Sequence, residues 1–180
     1  GYDSISPHMF DALVATEDVR FYDHSGIDFR ALMRAVVKRG VLGHKEAGGG
    51  STITQQLAKQ LYSSTAETTM QRLMQKPIEW VIAVELERHY TKEEILTLYL
   101  NYFDFLHNAV GIKTAANVYF GKSPKELTLT ECALLVGMCK NPSYFNPVRE
   151  PERCRQRRNV VLHQMVKAGK LSETEYATLS

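Results

Sequence analysis

The sequence is poor in cysteine and has no long hydrophobic run, and each shortage excludes a class of protein. Its cysteines, Cys132, Cys139 and Cys154, are odd in number and form no Cys-x-x-Cys motif. On one helix the first two would lie about 10 Å apart along the axis, too far for a disulfide. We therefore expect three buried thiols rather than a zinc site. The longest apolar runs, such as Cys132 to Met138, fall far short of the roughly 20 residues that span a bilayer.

The charges are also nearly balanced, with 22 basic and 20 acidic side chains and a net charge of +2. No basic run is interleaved with aromatic residues, so a nucleic acid partner is not expected. In 180 residues, of which 44% are hydrophobic, one sizeable core can form. We predict a single domain over residues 1–180. Because the chain begins with Gly1 and has no signal peptide, we expect it to be part of a longer protein.

Apolar residues recur at helical spacing along most of the chain. Ser6-Pro7 is typical of a helix start, and the apolar residues from Phe29 to Val37 predict a helix that ends at Gly40. The segment from Ile78 to Leu86 is apolar on nearly every face and predicts a buried helix that begins near Pro77. Four capping boxes predict further helix starts, at Thr91/Glu94, Ser123/Glu126, Thr128/Glu131 and Ser172/Glu175. The pattern predicts an all-α fold.

The most distinctive stretch is Gly48-Gly49-Gly50 followed by Ser51-Thr52-Ile53-Thr54-Gln55-Gln56. It predicts a glycine hinge that leads into a helix whose first turn carries hydroxyls and amides. The N–H groups of such a helix start favour an anionic group such as a phosphate. No Gly-Lys-Ser/Thr follows the glycines, so this is not a Walker A loop.

This stretch resembles the second signature of the peptidoglycan glycosyltransferases (glycosyltransferase family 51), the lysozyme-like domain of bifunctional penicillin-binding proteins and of monofunctional relatives. Further blocks match the family in order and spacing. They are Glu17-Asp18 with Phe21, His24 and Gly26; Lys76-Pro77-Ile78-Glu79; Tyr99-Leu100-Asn101 with Gly111 and Gly121; and Asn141-Pro142 with Arg157-Arg158-Asn159. The resemblance implies an all-α, lysozyme-like fold with a main helical lobe and a small, mobile, membrane-facing lobe at roughly residues 29–50.

The resemblance also implies an activity. Such an enzyme polymerises lipid II, the undecaprenyl-diphosphate-linked disaccharide pentapeptide, into β-1,4 glycan strands with inversion and release of undecaprenyl diphosphate. Glu17 would be the general base, and the aromatic Phe21 and Tyr22 could raise its pKa toward the working range. Glu79 matches the second essential carboxylate of the family.

Substrate binding is predicted for Asp18, Phe21, His24, Thr52, Gln56, Lys59 and Lys76. Thr52, Gln56 and Lys59 are spaced to share one helix face, and the two lysines would hold the diphosphate as point charges. His24 is expected to orient the Glu17 loop by hydrogen bonds. No cofactor is required. A divalent cation such as Mg²⁺, bridging the diphosphate with Glu79 as a ligand, is the option that stays open.

Basic residues between the first two blocks indicate either an ordinary surface helix or a contact with anionic headgroups. They are Arg30, Arg34, Lys38, Arg39, His44 and Lys45. The partners that the resemblance implies are lipid II, the growing glycan strand, the membrane surface, a fused transpeptidase domain and other cell-wall synthesis proteins. The expected location is the extracytoplasmic face of the bacterial inner membrane, held by an N-terminal anchor outside this sequence.

Two alternatives stay open at this point. A lytic transglycosylase or lysozyme-type hydrolase would also use a glutamate, but glycan cleavage has no diphosphate to hold. A lipid II-binding scaffold that has lost catalysis is favoured by departures from the family pattern. These are Gln60 for asparagine, Gln75 for arginine, Thr97 for glutamate, Asp104 for tyrosine and Leu106 for glycine. We expect a cation, either a basic side chain or Mg²⁺, to compensate for Asp104.

Overall fold

The computed structural model describes residues 1–41, 43, 49–62 and 68–180. Over these residues the chain is helical and forms no strand, with one isolated β-bridge between Asp104 and Val110. The all-α prediction is confirmed. The helices are α1 (Pro7–Glu17), α2 (Phe29–Gly40), α3 (Ile53–Tyr62), α4 (Thr69–His89), α5 (Lys92–Tyr102), α6 (Ile112–Phe120), α7 (Leu129–Met138), α8 (Pro151–Lys167) and α9 (Glu173–Leu179). Single 3₁₀ turns occupy Tyr2–Ser4, Phe21–Asp23 and Pro124–Glu126.

The described residues form two compact units, and the first consists of Gly1–Val19 with Leu100–Ser180. In this unit α1 packs against α7 and α8, and α7 also packs along α8. Its buried core includes Met9, Leu13, Leu135, Val136, Val161, Leu162 and Met165. Glycine at position 137 allows α7 and α8 to approach closely. A Cβ there would lie only 3.1 Å from Cγ of Arg157.

The second unit is Arg20–Tyr99, in which α3 packs against α4. Its buried residues include Phe21, Ile53, Leu57, Ala83, Leu86, Ile95, Leu96 and Tyr99. Asp28 caps α2 by accepting hydrogen bonds from the N–H groups of Arg30 and Ala31, and Arg20 Nε lies 3.1 Å from its Oδ2. Burial opposes the charge of Asp28, but these N–H groups and Arg20 hold its pKa below the usual range.

Most predicted helix starts are confirmed. Pro7 is the first residue of α1, and three of the capping boxes form reciprocal hydrogen bonds at α5, α7 and α9: Thr91/Glu94, Thr128/Glu131 and Ser172/Glu175. The Ser123/Glu126 box also forms, but it begins only the 3₁₀ turn Pro124–Glu126. The helix of Phe29 to Val37 ends at Gly40 as expected.

The prediction of a buried helix that begins near Pro77 is wrong. Helix α4 begins at Thr69, behind a Thr68/Gln71 capping box, and contains Pro77 in its interior. Proline removes the N–H bond to the carbonyl four residues earlier and its ring crowds that carbonyl, but the turns on either side and the Thr68/Gln71 cap keep this 21-residue helix continuous. The apolar residues Ile78 and Val81 are exposed, whereas Glu79, Ala83 and Leu86 are buried.

The three cysteines are buried thiols, as predicted. Burial raises the pKa of Cys132 to about 12 and that of Cys154 to about 11. Within the described ranges, no helix has the length and apolarity that crossing a bilayer would need.

Candidate active site

Glu17 is the last residue of α1, in the first unit. Its Oε1 lies 3.8 Å from Nη2 of Arg157 on α8, and the exposed fractions of the two side chains are 16% and 12%. Burial lowers the pKa of Arg157, and the charge of Glu17 opposes this shift. Asp18, which follows α1, is also buried, and its N–H donates to the carbonyl of Val14. The candidate base therefore faces a partly buried cation.

In the second unit, His24 stabilises the loop that leads to α2. Its Nδ1 accepts a hydrogen bond from the N–H of Gly26 at 3.1 Å, and its ring meets that of Phe21 edge to face. Both side chains are buried. The expected role of His24 in orienting the Glu17 loop stays a prediction.

The same loop is held by Lys92, the first residue of α5. Lys92 Nζ donates to the carbonyl of His24 at 2.7 Å and to Oε1 of Glu87 at 2.8 Å, and it lies 4.3 Å from the centre of the Phe21 ring. Glu87 also accepts from Oγ1 of Thr54 at 2.7 Å. This arrangement, which we call the Lys92 cluster, therefore joins the loop to α3, α4 and α5.

Gly26 fixes where the loop approaches α4. Its φ of +103° belongs to the region that favours glycine, and a Cβ would lie 2.9 Å from the backbone carbonyl of Ala83. The carbonyl of Gly26 accepts from Oγ1 of Thr52 at 2.7 Å. Thr52 also caps α3 by exchanging hydrogen bonds with Gln55, and only 1% of it is exposed. The Thr52 hydroxyl thus joins the loop to the start of α3.

Two further predicted residues follow along α3. Gln56 Oε1 accepts from the hydroxyl of Tyr99 at 3.1 Å. Lys59 is exposed and forms no ion pair with any residue in the described ranges. Of the three residues predicted to share a face of α3, namely Thr52, Gln56 and Lys59, the exposed Lys59 is the one that can offer a positive charge to a ligand. Gly48, which opens the predicted hinge, and the basic residues His44 and Lys45 lie outside the described residues.

Lys76 and Glu79 form an ion pair on α4. Nζ of Lys76 lies 3.2 Å from Oε2 of Glu79, and their side-chain exposures are 43% and 5%. The half-exposed ammonium of Lys76 is therefore paired with the buried carboxylate of Glu79. In the part of the chain that the structure describes, no cluster of three Asp, Glu, His or Cys side chains offers a metal site. Glu79 would be a single protein ligand that already binds a lysine, so we derive no step through a metal ion.

Comparison with known proteins decides the family. A family model described as transglycosylase matches residues 1–166. The chain belongs to the transglycosylase family. It is 44% identical to penicillin-binding protein 1A of Aquifex aeolicus over 97% of this chain and 23% of that protein. The corresponding protein of Escherichia coli is 43% identical over 97% of this chain and 20% of its own length.

A protein of Cupriavidus necator whose name gives it as a transglycosylase is 42% identical over 96% of this chain and 72% of its own length. The chain thus spans only about a fifth of the length of the two penicillin-binding proteins. Membership of the transglycosylase family confirms the resemblance, and with it the lysozyme-like fold class and the enzyme class of peptidoglycan glycosyltransferase.

Two departures from the pattern of the transglycosylase family lie in one turn of the first unit. Leu106 has a φ of +63°, and His107 and Asn108 also have positive φ values. Asp104 supports the turn, since its Oδ1 accepts from the N–H of Leu106 at 2.8 Å. Asp104 forms no ion pair with any described residue, so the compensating basic side chain that we expected is not found there. Leu106 therefore adopts a left-handed conformation that favours glycine, the residue that the family pattern led us to expect at this position.

Sequence reasoning missed two members of these arrangements. Arg157 was identified only as part of a block that matches the family, and its contact with Glu17, which is distant along the chain, was not predicted. Lys92 followed a capping threonine and was indistinguishable from a solubilising residue. The structure reveals both through burial and through their contacts.

Proposed function

We propose that this domain polymerises lipid II into β-1,4 glycan strands with inversion at the anomeric carbon. The observation that carries the proposal is the pair of cations that α3 and α4 present in the second unit. Lys59 is exposed, and Lys76 is half-exposed above the buried Glu79. Cations of this kind stabilise the charge of a departing diphosphate, whereas a glycan hydrolase has no diphosphate to stabilise.

In the proposed reaction, Glu17 accepts the proton of the acceptor's 4-hydroxyl as that oxygen forms a bond to the anomeric carbon of the donor. The bond between this carbon and the diphosphate oxygen breaks, and undecaprenyl diphosphate leaves with the electron pair. Attack from the face opposite the leaving group inverts the configuration. Lys59 and Lys76 neutralise the leaving charge.

The remaining predicted residues would position this machinery. Thr52 ties the loop of Gly26 to the start of α3, the helix that carries Lys59. The Lys92 cluster ties His24 to α4, the helix that carries Lys76 and Glu79. Hydrogen bonds therefore join the loop to the helices of the two lysines within the second unit. Asp18, Phe21 and Gln56 stay predicted substrate-binding residues.

We also propose that the domain works at the extracytoplasmic face of the membrane, with lipid II and the growing strand as its partners. Helix α2 supports this location, because Phe29, Met33, Val36 and Val37 are exposed. The segment 29–41 also holds four basic residues and no carboxylate, a composition that suits anionic headgroups. A fused transpeptidase domain and other cell-wall synthesis proteins are further proposed partners.

The test is incubation of the chain with labelled lipid II in detergent, followed by gel separation. A ladder of glycan strands supports the proposal. Shortening of finished glycan would favour a hydrolase, and binding without turnover would favour a scaffold. Because no described basic side chain pairs with Asp104, we further propose that a divalent cation, which takes no part in the steps above, offsets its charge. Chelator added to wild type and to Asp104→Tyr tests this, and identical yields with and without chelator in both would contradict it.

The matched variants are Glu17→Gln and Asp11→Asn, both on α1. Glutamine keeps the shape of Glu17 but cannot accept the proton, so we expect a loss of about 10²–10⁴-fold. Asp11 forms a partly exposed ion pair with Lys170, and the Asp11→Asn variant should polymerise lipid II at the wild-type rate. A Glu17→Gln variant with near-normal turnover would remove Glu17 from the mechanism.

A further inference from the structure

Arg157 is the one charged residue of α8 that pairs with α1 among the residues that the structure describes. Its neighbours on the helix are engaged elsewhere. Arg158 donates to Oδ1 of Asn159 and to the carbonyl of Leu179. Arg153 lies over the ring of Tyr144, and Arg155 pairs with Glu152 in solvent. The contact of Arg157 with Glu17 is therefore specific to that position.

The packing around Arg157 limits where its guanidinium can lie. Its stem passes Gly137 of α7, where a Cβ would approach Cγ to 3.1 Å. Its Cζ lies 5.7 Å from the centre of the Phe145 ring. A side chain confined between a helix backbone and an aromatic ring loses little further entropy when it meets a carboxylate. Any larger residue at position 137 would push the stem of Arg157.

The distance of 3.8 Å between Nη2 and Oε1 exceeds that of a charge-assisted hydrogen bond, which is about 2.7–2.9 Å. The contact is therefore electrostatic, and it does not itself occupy a lone pair of Oε1. An opposite charge at such a distance favours the ionised carboxylate. A general base needs both properties, because it must be ionised and able to accept a proton.

We propose that Arg157 is a positioning residue for the general base: its guanidinium attracts the Glu17 carboxylate at the end of α1 and keeps it ionised, without donating a hydrogen bond to Oε1. This inference rests on the proposed function. Among the described residues, the titratable groups near the pair include Asp18, which follows α1, and Cys139 at the end of α7, whose charge would act on Arg157. Asp18, as an anion, would oppose the effect of Arg157 on Glu17.

The experiment measures the pH profile of lipid II polymerisation for wild type, Arg157→Gln, Arg157→Lys and Arg155→Gln. Without the guanidinium, Glu17 should hold its proton to higher pH, so the acid limb of Arg157→Gln should move up by about one pH unit. Its kcat should fall while KM for lipid II stays nearly unchanged. Arg157→Lys should restore most of the acid limb, because it keeps the charge. Arg155→Gln, a solvent-exposed control on the same helix, should match wild type.

A second measurement does not depend on turnover or on whether Arg157→Gln folds. Carboxyl-carbon NMR of the wild type, with the Glu17 signal assigned by its loss in Glu17→Gln, gives the titration midpoint of Glu17. The Nε–H signal of Arg157 should shift with the same midpoint. The inference would be overturned if the Arg157 signal did not shift as Glu17 titrates. It would also be overturned if Arg157→Gln were active with the same pH profile as wild type. A wild type that makes no glycan would instead refute the proposed function.

Discussion

Replacing Lys92 by methionine should destabilise the second unit far more than the loss of an ordinary ion pair. The variant leaves the buried carboxylate of Glu87, which is 7% exposed, without its cation, and leaves the carbonyl of His24 without its donor. Removing one partner of a fully buried pair costs about 3–5 kcal/mol. Because 20% of Lys92 is exposed, water can reach the site, and we expect a loss of about 2–3 kcal/mol.

A matched control lies a few residues away. Arg88 pairs with Glu85 at the same distance of 2.8 Å, but the side chains are 69% and 48% exposed. Exposed pairs contribute little, so Arg88→Met should cost less than about 1 kcal/mol, including its interaction with the C-terminal end of α4. The two variants thus differ mainly in burial.

Urea unfolding followed by the fluorescence of Trp80 measures both losses. Trp80 is the single tryptophan of the chain and lies on α4, in the unit that contains both pairs. The double variant Lys92→Met/Glu87→Gln removes the uncompensated charge and should recover part of the stability lost in Lys92→Met. Equal losses in the two single variants would refute the reasoning from burial, as would a double variant no more stable than Lys92→Met.

Three further predictions concern the two lysines of the proposed site, the loop of Gly26 and helix α2. Lys59→Ala and Lys76→Ala should each reduce turnover by about 3 kcal/mol of transition-state stabilisation, with Lys76→Arg only partly active; wild-type glycan yield in both alanine variants would place the diphosphate elsewhere. Gly26→Ala should lower the urea midpoint, because its Cβ would meet the backbone of Ala83; an unchanged midpoint would contradict this. Wild type should float with anionic vesicles, and less of it should float at high salt. The triple serine variant at Leu32, Met33 and Val36 should not float. Equal flotation of the two would mean that α2 is an ordinary surface helix.

Local signals explain how much of the fold could be predicted. A capping box is complete within four residues, so Thr91/Glu94 and Thr128/Glu131 could be identified from the sequence alone. The start of α4 could not, since Pro77 suggested a boundary and the Thr68/Gln71 box begins nine residues upstream. Apolar residues on every face likewise predicted burial for Ile78 and Val81, both of which are exposed.

In the candidate site, too, the local contacts could be predicted and the long-range contacts could not. Family blocks located Glu17, Lys76 and Glu79, and helical spacing alone indicated the contact of Lys76 with Glu79. The contacts of Glu17 with Arg157 and of His24 with Lys92 join residues that no periodicity connects. Such pairings depend on how helices pack, which a single sequence does not encode in any local pattern.

The burial of the three native thiols makes this chain convenient for site-specific labelling. Maleimide and spin-label reagents react with thiolates, and thiols whose pKa is about 12 at Cys132 and about 11 at Cys154 are almost fully protonated at neutral pH. Cys139 is shielded by its burial. A new cysteine at an exposed position of α2, such as Met33, should therefore be the main site of modification in the native chain. Its label would sense the depth of a bilayer directly, without removal of any native cysteine.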